Sequence, residues 1–158
     1  DHSGLIEPTL VQLKDGRVRM WARTDRGIQW AAVSEDGGET FGDFGPSPIF
    51  GPRGPATIRR LPDGRLLLVW NDHEGHPEYM KRGPAWLVGI RAPLTLAISK
   101  DEGRTWINRK TLETDLNGFF CYFSILEQDD GLLLAYYNQP SLAGCCITKV
   151  PFGWLYAE

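Results

Sequence analysis

The sequence has few cysteines, no long apolar run and no excess of basic residues, and each absence excludes a class of protein. Its three cysteines leave one unpaired in any disulfide scheme, and the adjacent Cys145 and Cys146 rarely pair with each other, so free thiols are expected. No apolar stretch approaches the roughly 20 residues that span a bilayer. The formal net charge is −3 with both signs interspersed, whereas a nucleic-acid-binding surface needs a basic stripe. Neither a membrane nor a nucleic acid is therefore an expected partner.

Helical periodicity and metal-ligand spacing are also missing. No segment has the apolar spacing of an amphipathic helix of three turns. No group of cysteines and histidines has the spacing of a zinc site, and His73 and His76 lie in a polar loop where solvation is the simpler interpretation. The first residues lack the charged and apolar regions of a signal peptide. We expect no metal and no other cofactor.

Glycines, prolines and short alternating runs dominate what is present. The 18 glycines and 11 prolines separate runs in which apolar and polar side chains alternate, which is typical of strands. Residues 9–13, 17–21 and 28–33 are examples of such runs. The predicted fold class is therefore all-β.

Two short patterns repeat along the chain. An Asp-Gly pair, which suits a tight hairpin, stands between two predicted strands at Asp15, Asp63 and Asp130. The longer pattern Ser-x-Asp-x-Gly-x-Thr-aromatic occurs at residues 34–41 and again at residues 99–106. In such a turn the Asp accepts backbone N–H bonds, the Gly adopts an unusual dihedral angle, and the aromatic ring packs beneath the hairpin.

The order of these patterns predicts the blades of a β-propeller. Each unit runs strand, Asp-Gly turn, strand, loop, strand, Ser-x-Asp turn, strand, and four antiparallel strands make one blade. We predict a single partial propeller domain with blades at about residues 7–50, 55–114 and 120–158. Residues 145–150 and 152–156 are predicted to form the outer strands of the third blade. Residues 72–89 form a long insertion in the second blade, and such loops are more often functional or mobile than structural.

The spacing from the Asp-Gly turns predicts which residues share one face of the propeller. Positions eight residues before and after each turn lie side by side at the far end of the hairpin, where the third strand also begins. The residues predicted to gather there are Glu7, Arg23, Arg26, Asn71, Arg91, Tyr122 and Asn138. Arginines bind carboxylates through a planar fork, although an ion pair with a nearby acid is the simpler interpretation of any one of them. The turns themselves are predicted to lie on the opposite face.

With these patterns the chain resembles the sialidases and their relatives, which are six-bladed propellers whose Ser-x-Asp turns are called Asp-boxes. The resemblance runs from residues 7–17 to residues 150–156 and implies that the chain is the C-terminal half of such a propeller, about three blades. In that family a tyrosine attacks the anomeric carbon, a glutamate takes its proton, three arginines hold the substrate carboxylate and an aspartate serves as acid and base. The resemblance implies retaining hydrolysis of terminal acidic sugars.

The family roles match individual positions of this sequence. By resemblance Tyr122 is the nucleophile and Glu7 its base, while Arg23 and Arg91 are the second and third arginines; Asn71 is a further candidate for substrate binding. A neutral phenol is not repelled by the substrate carboxylate, and tyrosine is the known exception among glycosidase nucleophiles. A phenol ordinarily has a pKa of about 10 and so needs a base in hydrogen-bond reach. The open alternatives are a channel-filling tyrosine and a surface glutamate.

The family's first arginine and its acid/base aspartate belong to earlier blades, and the six residues before Glu7 contain no match to either. An alternative function is therefore a non-catalytic carbohydrate-binding or scaffolding propeller that needs a second half or a second copy. A third reading is a structural remnant whose other half is encoded elsewhere. Carbohydrate is the expected ligand. Because three blades leave apolar faces and strand edges uncovered, we expect two copies to form a homodimer that completes a six-bladed ring.

Overall fold

A computed structural model describes residues 4–83, 87–139 and 144–157, which form three antiparallel sheets. The first sheet contains, in spatial order, β1 (Ile6–Gln12), β2 (Val18–Arg23), β3 (Ile28–Ser34) and β4 (Gly45–Phe50). The second contains β5 (Thr57–Arg60), β6 (Leu66–Trp70), β7 (Leu94–Ser99) and β8 (Ile107–Glu113). The third contains β9 (Phe119–Gln128), β10 (Gly131–Gln139) and β11 (Gly144–Pro151), with β10 in the middle. The predicted all-β propeller fold is confirmed.

The chain ends in a short helix, α1 (Phe152–Tyr156), where an outer strand was predicted, so that prediction is wrong. The apolar residues at 152, 155 and 156 share one side of a helical turn. Phe152 and Tyr156 stack with ring centroids 5.3 Å apart, and Leu155 is fully buried in the core. The guanidinium of Arg65 lies 3.5 Å from the Tyr156 ring centroid. These contacts partly bury the rings of Phe152 and Tyr156 beside Leu155, whereas in a strand Leu155 would point to the opposite face.

The core consists of two layers, one on each side of the second sheet. The layer shared with the first sheet is built around Trp21, Trp70 and Trp106. The layer shared with the third sheet contains Phe120 and Tyr136, packed together with leucines of the second sheet, the third sheet and α1. Consequently every residue of β6 and β7 is buried, as expected for a blade with a neighbour on each face.

The outer face of the third sheet is apolar and exposed. Leu126 lies opposite Leu133, and Ile147 lies opposite Ala135, so these side chains share the face that points away from the second sheet. Leu126 is 62% exposed and Ile147 is 69% exposed. None of the described helices is long and apolar enough to cross a membrane. All three cysteines are free thiols.

The two Asp-boxes have the same hydrogen bonds. The hydroxyl of Ser34 donates to Asp36 at 2.6 Å, and that of Ser99 donates to Asp101 at 2.8 Å. Each aspartate also accepts a backbone N–H bond, at 2.9 Å, from the threonine four residues later. The predicted role of the aspartate in the turn is therefore confirmed. Trp106 of the second box is buried between the sheets, as predicted for the aromatic position.

Candidate active site

Glu7 and Tyr122 occupy matching places at the start of β1 and in β9, and both have a left-handed backbone. Their φ angles are +52° and +57°, a region that residues other than glycine enter uncommonly and only where the surroundings impose it. The pairing of each strand with its neighbour is irregular at this point. The matching residue of the second sheet is Pro55, whose ring excludes positive φ. The irregularity therefore turns one side chain in the first sheet and one in the third.

Glu7 forms an ion pair with Arg23 across the β1–β2 hairpin. The Nε of Arg23 donates to Oε2 of Glu7 at 2.6 Å. Arg23 is buried and Glu7 is half-buried, so the pair is partly shielded from solvent. The pairing of Ile6 with Arg23 in the ladder brings the two side chains together at the end opposite the Asp15 turn. This contact fixes the orientation of the Glu7 carboxylate.

Two arginines from different blades, Arg23 of β2 and Arg91 just before β7, meet at one backbone oxygen. Nη1 of Arg23 lies 3.4 Å from the carbonyl oxygen of Arg53, and Nη2 of Arg91 lies 3.2 Å from the same atom. Arg53 stands in the segment that joins the first sheet to the second. The structure thus brings Arg23 and Arg91 together, as the spacing of the turns predicted.

Arg91 has an unusual environment for a cation. It is only 5% exposed, and its guanidinium carbon lies 4.9 Å from the ring centroid of Phe119 and 5.7 Å from that of Tyr122. Its Nε and Nη1 are buried and have no nitrogen or oxygen acceptor among the described residues. Burial raises the pKa of the adjacent Cys121 thiol, and the side-chain contact and charge of Arg91 partly oppose that rise. Arg91 therefore holds buried donors of the kind that a carboxylate accepts from.

Tyr122 and Glu7 line one open cleft between the first strands of the three sheets. The cleft has a volume of about 360 Å³, and Pro8, Thr9, Thr57 and neighbouring residues complete its wall. Tyr122 is 60% exposed, so its phenol is accessible from the cleft. The cleft thus joins a carboxylate and a phenol beside the two guanidinium groups.

Asn71 lies behind this group rather than in the cleft. It is 2% exposed, and its Nδ2 donates to the carbonyl oxygens of Pro93 and Phe120, each at 3.2 Å. These bonds connect the end of β6 to the segment after Arg91 and to β9. Direct binding of substrate by Asn71 stays a prediction. The hydrogen bonds that Asn71 makes in this structure hold backbone segments together.

The remaining residues predicted for this face are less closely involved. Arg26 is exposed and its guanidinium lies 5.2 Å from the Trp30 ring centroid. Asn138 pairs with Phe120 in the β9–β10 ladder, at the same end of the sheet as Tyr122. The carbonyl of Arg53 was missed because side-chain patterns carry no information about backbone acceptors, although the Pro-Arg-Gly-Pro run at 52–55 marks a turn.

The opposite ends of the sheets carry the turns. Glu102, inside the second Asp-box, accepts from Arg60 at 2.6 Å and from the backbone of Lys14 beside the first Asp-Gly turn. Asp15 and Asp101 line one cavity of about 380 Å³. The Asp-Gly turn of the first sheet and the Asp-box of the second therefore meet away from Glu7 and Tyr122.

Blades of this kind, with Asp-boxes at one end and a polar cleft at the other, define an Asp-box propeller. The sequence matches the BNR repeat-like domain over residues 1–134, and the chain therefore belongs to that family. A search of the curated proteins found no match.

Solved structures of sialidase type have the same fold. An intramolecular trans-sialidase from Ruminococcus gnavus, in complex with oseltamivir carboxylate, is 18% identical with a TM-score of 0.68 over 100% of this chain and 35% of its own. A leech intramolecular trans-sialidase with 2,7-anhydro-Neu5Ac is 18% identical with a TM-score of 0.67, over 94% of this chain and 24% of its own. An α-L-arabinofuranosidase from Fusarium graminearum is 14% identical with a TM-score of 0.54, over 85% and 41%. This chain thus spans about a quarter to two fifths of these proteins, and the likeness shows a shared sialidase-type fold.

Proposed function

We propose that this chain provides half of the active site of a retaining, sialidase-like glycosidase that acts on terminal acidic sugars. The observation that carries the proposal is the meeting of Arg23 and Arg91 at the Arg53 carbonyl, beside a cleft lined by Glu7 and Tyr122. Two adjacent guanidinium groups favour an anionic substrate, and the sialidase-type fold suggests a sugar carboxylate.

In the proposed reaction the phenolic oxygen of Tyr122 attacks the anomeric carbon while Glu7 accepts the phenolic proton. The glycosidic bond breaks, and an acid from the rest of the ring protonates the departing oxygen. Water then attacks the glycosyl-tyrosine and gives its proton to the conjugate base of that acid, while Glu7 returns its proton to the departing phenolate. The phenol is thereby restored and the anomeric configuration retained. Arg23 orients the Glu7 carboxylate through Oε2, so that base and nucleophile share the cleft.

Burial of the two arginines strengthens their proposed role. Electrostatic attraction is greater where water is excluded, and both guanidinium groups are largely buried. The unpartnered donors of Arg91 gain most from a carboxylate, because a buried donor without an acceptor costs about 1–3 kcal/mol. The site therefore favours a carboxylate over a neutral group of the same size.

Turnover of a fluorogenic sialoside, with the first-formed anomer identified by NMR, tests this function. We expect the α-anomer first, and a loss of roughly 1000-fold or more in kcat for Tyr122→Phe, which removes the nucleophile. Tyr137→Phe is the matched control, because Tyr137 lies on the neighbouring strand against Phe119, and it should keep its activity. Equal rates for Tyr122→Phe and the wild type contradict the proposal, as does absent turnover by the assembled ring. Binding of the sugar without turnover would support the non-catalytic carbohydrate-binding alternative.

We further propose that a second copy of the chain completes the ring about a two-fold axis. Leu126 and Ile147 on the third sheet and Leu10 on the first are exposed apolar side chains on strands at the two ends of the half-ring. Such surfaces tend to find partners, and a half-ring closes with its own copy. Sedimentation should give twice the chain mass of 17.8 kDa, and Ile147→Lys should reduce it to the monomer. A folded wild-type monomer contradicts this arrangement.

A further inference from the structure

The two candidate carboxylate-binding arginines come from different blades yet donate to a single oxygen atom. A carbonyl oxygen has two lone pairs, so the Arg53 carbonyl can accept from both guanidinium groups at once. Two like charges repel, and an acceptor shared by both guanidinium groups offsets that repulsion. The position of this carbonyl therefore contributes to the separation of the two guanidinium groups, beside the Glu7 ion pair of Arg23 and the ring contacts of Arg91.

The turn that carries this carbonyl, residues 51–54, is held from two sides. The backbone N–H of Arg53 donates to the carbonyl of Val88 at 3.2 Å, within the insertion of the second blade. The carbonyl of Gly54 accepts from Nε2 of Gln29 at 3.0 Å, and Gln29 is buried. The turn is thus fixed to the first sheet by a buried side chain and to the insertion by the backbone.

The glycines of this turn are required for space rather than for a left-handed backbone. A Cβ at Gly51 would lie 2.8 Å from the carbonyl oxygen of Asn71. A Cβ at Gly54 would lie 3.3 Å from Oδ1 of Asn71 and 3.7 Å from Nε of Arg91. Because Nδ2 of Asn71 donates hydrogen bonds to two carbonyl oxygens, the Asn71 side chain has little freedom to move away. A Cβ at position 54 would therefore press on Oδ1 of Asn71 and would come into van der Waals contact with Arg91.

We propose that the turn at residues 51–54 is the positioning element of the site, and that it matches the spacing of Arg23 and Arg91 to a sugar carboxylate. The Arg53 carbonyl holds the two guanidinium groups, and Gly54 leaves the room that the Asn71 side chain needs while lying against Arg91. This inference rests on the proposed function, since it concerns the same carboxylate. It assigns a role to a backbone group and to a residue without a side chain.

The test is Gly54→Ala in the full chain, with Gly45→Ala as the matched control. A Cβ at Gly45 meets no heavy atom within 4 Å, and neither glycine has a left-handed backbone. The Nε–Hε NMR signals of Arg23 and Arg91, assigned from Arg→Lys variants, report the geometry without any ligand. Titration with N-acetylneuraminic acid reports binding. We expect Gly54→Ala to shift both signals and weaken binding about tenfold, equivalent to about 1.4 kcal/mol, while Gly45→Ala changes neither.

A second variant covers the outcome in which Gly54→Ala does not fold. Gln29→Met removes the donor to Gly54 but keeps a side chain of similar volume, and we expect it to shift the same arginine signals and weaken binding by about threefold. Arginine signals that stay in place in the folded variants, with unchanged affinity, overturn the positioning role. If the arginine signals shift in the variants but the wild type binds no acidic sugar, the positioning role is supported and the proposed function is contradicted.

Discussion

The two ends of the blades differ in which residue types adopt a left-handed backbone. At the turn end most left-handed positions, such as Gly38 and Gly103, are glycines, with Glu102 of the second Asp-box (φ +63°) as an exception. The aspartates of both Asp-boxes are hydrogen-bonded within their own turns. At the cleft end, Glu7 and Tyr122 adopt a left-handed backbone without being glycine. The left-handed Glu102 is held by its ion pair with Arg60, whereas the left-handed Tyr122 is exposed. The turn end is therefore fixed by contacts within and between turns, and the cleft end has two candidate site residues in a left-handed backbone.

Within the turn end the two Asp-boxes also differ. The second box lies between blades, with Gly103 against Trp21 and Glu102 bonded to Arg60. The first box is exposed, and a Cβ at Gly38 would meet no heavy atom within 4 Å. The same pattern therefore has one copy that packs against a neighbouring blade and one that faces solvent.

The largest expected effect is the loss of stability in Gly103→Ala. The added Cβ would lie 2.7 Å from the fully buried Trp21 ring, and φ at this position is +79°. Overpacking and left-handed strain together should lower the free energy of unfolding by about 3 kcal/mol. Chemical denaturation followed by tryptophan fluorescence measures this.

Gly38→Ala separates the two causes, since it adds strain without a clash. Its φ is +103°, so we expect a loss of about 1 kcal/mol. Equal losses in Gly38→Ala and Gly103→Ala would show that the packing of the second box between blades contributes nothing.

The same division explains what the sequence predicted. Asp-Gly turns and Asp-boxes act locally, and their spacing predicted the blades and the meeting of Arg23 with Arg91. Residues 152–156 were assigned to a strand because a blade has four strands, but the apolar side chains at 152, 155 and 156 pack better from a helical turn. The role of the Arg53 carbonyl as a shared acceptor was not predicted, because the position of this carbonyl depends on the path of the backbone between two blades. The catalytic roles of Glu7 and Tyr122 stay predictions.

A smaller effect concerns acid stability at the turn end. Burial raises the pKa of Asp101, but hydrogen bonds from Thr105 and Ser99 outweigh it and lower that pKa to about 2; hydrogen bonds from Ser34 and Thr40 lower the pKa of Asp36 further below its ordinary value. A depressed carboxyl pKa stabilises the fold above the unfolded value of 3.8, and this stability is lost as the pH falls toward 2.

Thermal unfolding between pH 5 and pH 2 measures this loss as a falling midpoint. In the double variant Asp36→Asn, Asp101→Asn we expect a lower midpoint at pH 5 and a weaker dependence on pH, because two of the titrating groups are gone. A double variant with the same pH dependence as the wild type would show that other carboxylates account for acid sensitivity.

The smallest expected effect is a gain in stability at the cleft end, in Tyr122→Asn. Asparagine tolerates a left-handed backbone better than tyrosine does, and the exposed phenol makes few contacts to lose, so the free energy of unfolding should rise by about 0.5 kcal/mol. Leu126→Asn on the same strand is the control. Its side chain is also exposed but its backbone is extended, so this change should lower stability through the poor strand propensity of asparagine. If both variants lose stability equally, Tyr122 is not strained, and the contrast between the two ends does not extend to the backbone of the candidate nucleophile.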